Sequence, residues 1–392
     1  MNSAGPTNTA GQITRIVVVG GGYAGTMAAN RLAGQPGTDV VLVNARPRFV
    51  NRIRLHQWVA GTGEATHEYD GMLGDGVRLV VGVAERIDTA GRRVVLASGE
   101  TVPYDRLVYA VGSTSATDSE HAFTVGEWES AQRLREHLKT ADGPVTVVGG
   151  GLTGVETASE LAELGLPVRL VCDGPLVPSF GAKGRRNTAR ALAKVGVRVF
   201  ENRRVTAIGP DSVTVTGTGT EEEWPSVTTV LAVGFGIPRL AADSALTTDP
   251  EGRLVTDETL TSVDDPRIVG AGDAVAPSGS PLRMSCAAAV PLGLHAADTV
   301  IAAMKGAQPQ PIRIGFVGQN ASVGRRAAVI QLVRTDDTPR SMAFGGRFGA
   351  MIKEQVCRFV IRGIGLEGRR PGLIRGASRK PRTADELVQV AV

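Results

Sequence analysis

Two stretches of this chain place residue types in the same order. Residues 16–34 read IVVVGGGYAGTMAANRLAG and residues 145–165 read VTVVGGGLTGVETASELAELG. Each is a β-branched apolar run, a glycine cluster, and then small residues at helical spacing. The pattern predicts a buried strand, a tight turn and a helix, made twice. Short β-branched runs follow each copy. After the first come VVLVNARPR, GVRLVVG, RRVVLASGETV and YDRLVYAVGS; after the second come VRLVCDG, GVRVFEN, SVTVTGT and SVTTVLAVGFG. Both units close on Val-Gly, at Val111-Gly112 and Val233-Gly234. Strands alternating with helices predict an α/β class with parallel sheets, each carrying a small antiparallel insert.

The segment GEWESAQRLREHLKTADG has helical periodicity and stops at Asp142-Gly143-Pro144. RIVGAGDAV is a further buried-type strand, and SCAAAVPLGLHAADTVIAAMKG is a small-residue helix that Pro291 should kink or re-cap. Neither has a counterpart in the second unit, so both suit a return of the chain to the first. The expected organisation is a first unit over 12–115, a second over 116–236, the return over 237–305 and a C-terminal region over 306–392.

The C-terminal region changes character. FVGQNASVGRRAAVIQLVRT predicts two short strands. Then Phe344, Phe348, Met351, Ile352, Val356, Phe359 and Val360 follow helical spacing, with Arg347, Lys353, Arg358 and Arg362 between them. This is a basic amphipathic helix. It either docks on the body or a dimer partner, or lies on an anionic membrane surface. The tail beyond Gly365 reads as polar and loose.

Composition narrows the classes. The chain has 392 residues, enough for two or three domains, and its net charge is only +4. Aromatics are scarce and the basic excess gathers near the C-terminus, which argues against nucleic-acid binding. No run of 18 apolar residues predicts a spanning helix, and the leader MNSAGPTNTAGQ reads as a frayed terminus. Cys172, Cys286 and Cys357 form no C-x-x-C pair, and no metal-ligand spacing is present. A reduced, cytoplasmic setting is expected.

A strand followed by G-x-G-x-x-G and a helix is a phosphate-binding device. Gly20 allows the turn, Gly22 lets a pyrophosphate approach the backbone, and Gly25 lets helix and strand pack closely. Gly149, Gly151 and Gly154 repeat the spacing. Two such sites suggest two dinucleotides that meet, and the economical pair is FAD with a nicotinamide cofactor.

Carried by VVVGGGYAG, LVYAVGS, VVGGGLTGVETASELAELG and RIVGAGDAV, the chain resembles the flavin-dependent pyridine-nucleotide oxidoreductases with two dinucleotide domains. Within them it is most similar to type II NADH dehydrogenases and apoptosis-inducing-factor-like reductases. The resemblance implies two Rossmann-like domains, with the NAD(P)H domain inserted into the FAD domain. It puts FAD at the first loop (Gly20, Gly22, Tyr23, Ala24, Gly25), with Asn44, Ala45, Arg46, Arg52, Val83, Ala110, Gly112, Gly272, Asp273 and Cys286 as further contacts. NADH is assigned to Gly149, Gly151, Leu152, Thr153, Gly154, Asp173, Val233 and Gly234, with NADPH an open alternative. Glu156 is implied to reach toward the nicotinamide, as an orienting or proton-handling group; its plainer role is to satisfy the dipole of its helix.

Departures from the family pattern bear on the acceptor. Asn44 stands where an acidic ribose ligand is usual, and Cys172-Asp173 at the matching place in the second unit. No redox-active cysteine pair is present; Cys286 is a lone thiol relay or a small buried residue. Ala287 and Pro291 replace the two glutamines that type II NADH dehydrogenases carry beside flavin and quinone. Arg54 and His56 are unusual companions to Arg52. The expected function is an NADH:acceptor oxidoreductase with a quinone as leading acceptor. The alternatives are a reductase feeding a ferredoxin-like protein or a biosynthetic oxygenase, and an NADH-sensing flavoprotein with slow turnover. A homodimer and peripheral contact with the inner face of a membrane are the expected associations.

Overall fold

The structure is a computed structural model and describes residues 13–374 except 118, 218 and 280. The leader and the last part of the tail lie outside the described residues.

The first fold is a five-stranded parallel sheet. Its order is Ile268–Gly270, Arg106–Tyr109, Thr14–Val19, Thr38–Asn44 and Val77–Val81. The β-branched runs form its middle because both faces are covered, so Val17, Val18, Val40, Val41 and Leu42 are buried. Helix α1 (Tyr23–Ala33) leaves the first strand through the glycine loop, and the short α2 (Leu55–Val59) follows an excursion to one side. An antiparallel meander, Ala84–Asp88, Arg93–Leu96 and Thr101–Pro103, is the expected insert.

The second fold repeats the plan. Its parallel sheet runs Phe123–Thr124, Thr228–Leu231, Val145–Val148, Val168–Val171 and Arg198–Phe200. Helices α3 (Trp128–His137), α4 (Leu152–Glu163) and α5 (Ala182–Lys194) accompany it, and Arg204–Ile208, Ser212–Gly217 and Thr220–Pro225 form its meander. The chain crosses between the folds where Thr114–Ser115 pairs antiparallel with Phe235–Gly236.

After the short α6 (Leu240–Asp243), Ile268–Gly270 rejoins the first sheet beside Arg106–Tyr109. Helix α7 (Cys286–Met304) then packs on α1. Their approach is close because Gly293 faces Ala24: a Cβ on Gly293 would stand 2.1 Å from the Ala24 carbonyl oxygen. The helix runs through Pro291 as one element, so Pro291 neither ends nor re-starts it. By length and composition α7 would pass for a membrane span, but half of that window is buried in the body of the protein.

The C-terminal region holds three antiparallel strands where two were expected: Gly318–Val323, Ala327–Val333 and Pro339–Gly345. Helix α8 (Gly346–Arg369) follows and docks on this sheet and on α1. Phe344, expected on this helix, lies in the strand before it, and α8 starts two residues later. Its inward face is Gly349, Lys353, Cys357 and Ile364, while Phe348, Met351, Val356 and Phe359 point outward, with Phe359 67% exposed. The part of the tail up to residue 374 is also not loose. Glu367 is fully buried, pairs with Arg31 of α1 at 2.8 Å, and accepts from the backbone N–H groups of Gly372 and Ile374.

Candidate functional site

The two glycine loops are built alike. Gly20 has φ +105°, and a Cβ there would meet the Ala110 carbonyl oxygen at 2.2 Å. Gly149 has φ +119°, and its Cβ would meet the Ala232 oxygen at 2.4 Å. At Gly25 and Gly154 the strand carbonyl of the loop's own first glycine stands 1.8 Å from where a Cβ would sit. Only glycine fits these four positions. Gly22 and Gly151, by contrast, face open space. That is the arrangement a pyrophosphate needs at the start of α1 and of α4.

Around the first loop the side chains are already engaged. Asn44 accepts from the Gly21 N–H at 2.9 Å and donates to the Arg46 carbonyl at 2.8 Å, so its amide braces the loop. Tyr69 donates to the Gly21 carbonyl at 2.6 Å. Arg46 forms a two-pronged pair with Glu129 of α3. Ala45 and Val83 are exposed beside them.

Arg52 joins three segments. Its Nε donates to the Gly126 carbonyl, and its Nη1 donates to both the carbonyl and the hydroxyl of Ser113, at 2.8 and 3.0 Å. Ser113 in turn donates to Asp273 at 2.8 Å. The GAGD aspartate, the end of strand Arg106–Tyr109 and the loop before α2 thus meet at one place, flanked by Gly112 and Gly272 with positive φ. Burial pulls the Arg52 guanidinium below its ordinary value, and its buried Nη2 has no partner among the described residues.

Cys286 opens α7, whose N-terminus is capped by the Ser285 hydroxyl accepting from the Ala288 N–H. Burial pushes the Cys286 thiol up to about 12, which favours the protonated form. Cys172 is likewise pushed up to about 12, under Gly150. Beside it Asp173 is paired with Arg204, Nη2 to Oδ2 at 2.8 Å, both exposed. Leu152 and Thr153 begin α4, and just past the last strand the Val233 side chain stands 3.2 Å from where a Cβ on Gly149 would sit.

Sequence reasoning did not assemble the cluster around Glu156. This carboxylate is buried in the second turn of α4 and turned toward the C-terminal region. It accepts from the Ser322 N–H at 3.1 Å and from the Lys353 ammonium of α8. His56 of α2 lies 3.8 Å away, Nδ1 to Oε2, and its Nε2 is 3.5 Å from the Ser322 hydroxyl. Burial, then the nearby Lys353, Arg325 and Arg54 cations, hold His56 neutral, well below its usual range. Burial also lowers Lys353 to about 8. One turn further along α4 the buried Glu160 accepts from Thr62 at 2.8 Å, and burial raises its pKa. The available signal was the Gly349, Lys353, Cys357 stripe, where small neighbours leave room for a lysine to turn inward.

Residues 14–304 match the pyridine nucleotide-disulphide oxidoreductase family. An NADH dehydrogenase-like protein of Mycobacterium tuberculosis is 33% identical over 326 residues, covering 74% of this chain and 80% of that protein. The type II NADH:quinone oxidoreductase Ndh of the same organism is 28% identical, covering 81% of this chain and 79% of the relative. Among solved structures, the sulfide:quinone oxidoreductase of Aquifex aeolicus superposes with a TM-score of 0.76 at 19% identity, over 92% of this chain and 93% of that one, which shows a shared fold. The chain belongs to the pyridine nucleotide-disulphide oxidoreductase family and is an NADH-dependent oxidoreductase, with FAD and NADH implied as its cofactors. The two open glycine cradles and the unpartnered Arg52 Nη2 fit two such groups.

Proposed function

We propose that this member of the family oxidises NADH and passes the electrons to a quinone: NADH + H⁺ + quinone gives NAD⁺ + quinol. FAD, when bound, supplies the chemistry of taking a hydride and handing electrons on. The first loop, Arg52, Ser113 and Asp273 hold it, within a domain made of 12–115 and 237–305. The return of Ile268–Gly270 to the first sheet supports that division. The second loop and Asp173 hold NADH in the inserted domain of 116–236. Asp173 favours a ribose hydroxyl over a 2′-phosphate, and Arg204 tempers that preference.

One observation carries the choice of acceptor. The hydride carries two electrons and one proton, so quinol formation takes up one further proton per turnover. A buried lysine, glutamate and histidine meet beside α4, and the glutamate is the residue that the family resemblance turns toward the nicotinamide. A one-electron acceptor such as a ferredoxin has no use for a buried proton-bearing cluster. Lys353 can give a proton and Glu156 can hold its position. The outward apolar stripe of α8, flanked by Arg347, Arg358 and Arg362, supports a peripheral seat on the anionic inner face of a membrane, where a lipophilic quinone resides.

The test is stopped-flow kinetics on FAD-reconstituted protein, first reduced by NADH and then reoxidised by menadione or by ferredoxin. Reoxidation should be fastest with menadione. A protein that takes up no FAD, or one that ferredoxin reoxidises faster, sinks the reading.

A further inference from the structure

The crossing between the two folds presents one exposed aromatic side chain. Thr114–Ser115 pairs with Phe235–Gly236, and glycines flank the phenylalanine on both sides. Gly234 has φ +59°, in the left-handed region that favours glycine. A Cβ on Gly236 would stand 2.9 Å from both the Ser115 carbonyl oxygen and the Thr114 hydroxyl. Both neighbours are thus held to glycine by the backbone, which leaves Phe235 as the side chain presented between them. Phe235 is 44% exposed, and away from α8 no other phenylalanine among the described residues is exposed.

Phe235 also connects the two loops. Along the chain it follows Val233-Gly234, and the Val233 side chain closes on Gly149 of the second loop. Through space its ring covers the Arg52 guanidinium, whose carbon lies 5.9 Å from the ring centre. Arg52 bonds Ser113, and Ser113 bonds Asp273, beside the first sheet. The ring therefore belongs to the second fold and touches the polar network of the first. Arg52 is fixed by its bonds to Gly126 and Ser113, so the exposed ring is the partner that can turn. The negative face of such a ring suits a cation, as its contact with Arg52 shows.

We infer that Phe235 binds the nicotinamide ring of the substrate, giving it an aromatic face at the junction of the two folds. This rests on the proposed placement of NADH at the second loop and adds a residue to it. The chemistry calls for an aromatic contact and not merely an apolar one. Reduced nicotinamide is an uncharged dihydropyridine. When it gives up a hydride to the flavin, two electrons and one proton leave together and the ring becomes a pyridinium cation. An aromatic face attracts that cation more than the neutral ring. The contact therefore strengthens as the hydride departs, which is the condition for a contact that speeds the step as well as holding the substrate.

The probes are NAD⁺ and ADP-ribose, which is the same molecule without its nicotinamide. Phe235→Leu keeps an apolar side chain and removes the aromatic face; Phe235→Tyr keeps the face. In FAD-loaded protein the Kd for NAD⁺, measured by calorimetry, should rise about fivefold or more in the leucine variant and stay within twofold of wild type in the tyrosine variant. The Kd for ADP-ribose should stay within twofold of wild type in both. Binding of NAD⁺ by the leucine variant within twofold of wild type overturns the inference. So does an equal loss of ADP-ribose binding, which marks damage to the loop and not the loss of a ring contact, and so does a tyrosine variant as weak as the leucine one. A wild-type protein that binds neither probe overturns the placement of NADH itself, and the inference falls with it.

Discussion

Lys353 of α8 and Glu156 of α4 form an ion pair buried between the C-terminal helix and the second dinucleotide fold. The pair connects the region with least family character to the loop with most. Removing one partner strands a buried charge, which costs roughly 3–5 kcal/mol, whereas replacing both costs far less. Lys353→Met and Glu156→Gln should therefore each lower the urea midpoint strongly, and the double variant should recover most of the loss. Additive losses in the double-mutant cycle would show that the two side chains do not interact.

Protonation of Lys353 gives the pair a pH signature. Its ordinary value of 10.5 is brought down to about 8 by burial. Between those values the unfolded chain binds the proton that the folded protein has lost, so stability rises with pH across that window. Activity moves the other way, because the ammonium empties as pH climbs through about 8. Menadione turnover should fall above that pH, while ferricyanide reduction, which consumes no proton, should not. In Lys353→Met the high-pH limb of menadione turnover should be absent at a reduced rate.

The two loops can be separated by a pair of substitutions. Gly22 and Gly151 face open space, so a side chain there disturbs the ligand and not the fold. Gly22→Val should yield a folded protein that loses its yellow colour. Gly151→Val should keep its flavin and raise KM for NADH about tenfold or more, which corresponds to roughly 1.4 kcal/mol or more of lost binding. Flavin loss from Gly151→Val and not from Gly22→Val would reverse the assignment of the loops.

Much of this was legible in the chain. The glycine loops and their strands were readable because close approach and β-branched burial are local demands on residue type. Arg52 and Asp273 were both anticipated, but not Ser113, which joins them, because a serine carries no pattern of its own. Asn44 and Asp173 were expected to face ribose, and the structure shows both already engaged, with the loop backbone and with Arg204. The strand Pro339–Gly345 went unread because it lies at a sheet edge with four exposed residues, lacking the period that marks a half-buried strand. The faces of α8 were the least legible part. Apolar spacing locates a helix, but which face turns inward is set by what it meets, and here that is Glu156, which holds a lysine.

The inward lysine leaves an apolar stripe for something else to cover. Phe348, Met351, Val356 and Phe359 lie along one side of α8, and Arg347, Arg358 and Arg362 run beside them. Inserting a Phe side chain into an apolar phase is worth about 1.5–3 kcal/mol, and each basic residue near an anionic surface adds about 1 kcal/mol. The wild-type protein should therefore sediment with vesicles rich in phosphatidylglycerol, less so at high salt and not with neutral vesicles. Phe348→Ser combined with Phe359→Ser should cut that partition by roughly a hundredfold, about 3 kcal/mol, and leave ferricyanide reduction unchanged because neither side chain lines the proposed sites. If the stripe instead faces a second copy of the chain, the same double variant would shift the sedimentation coefficient of the protein without lipid, and vesicle binding by the wild type would be absent.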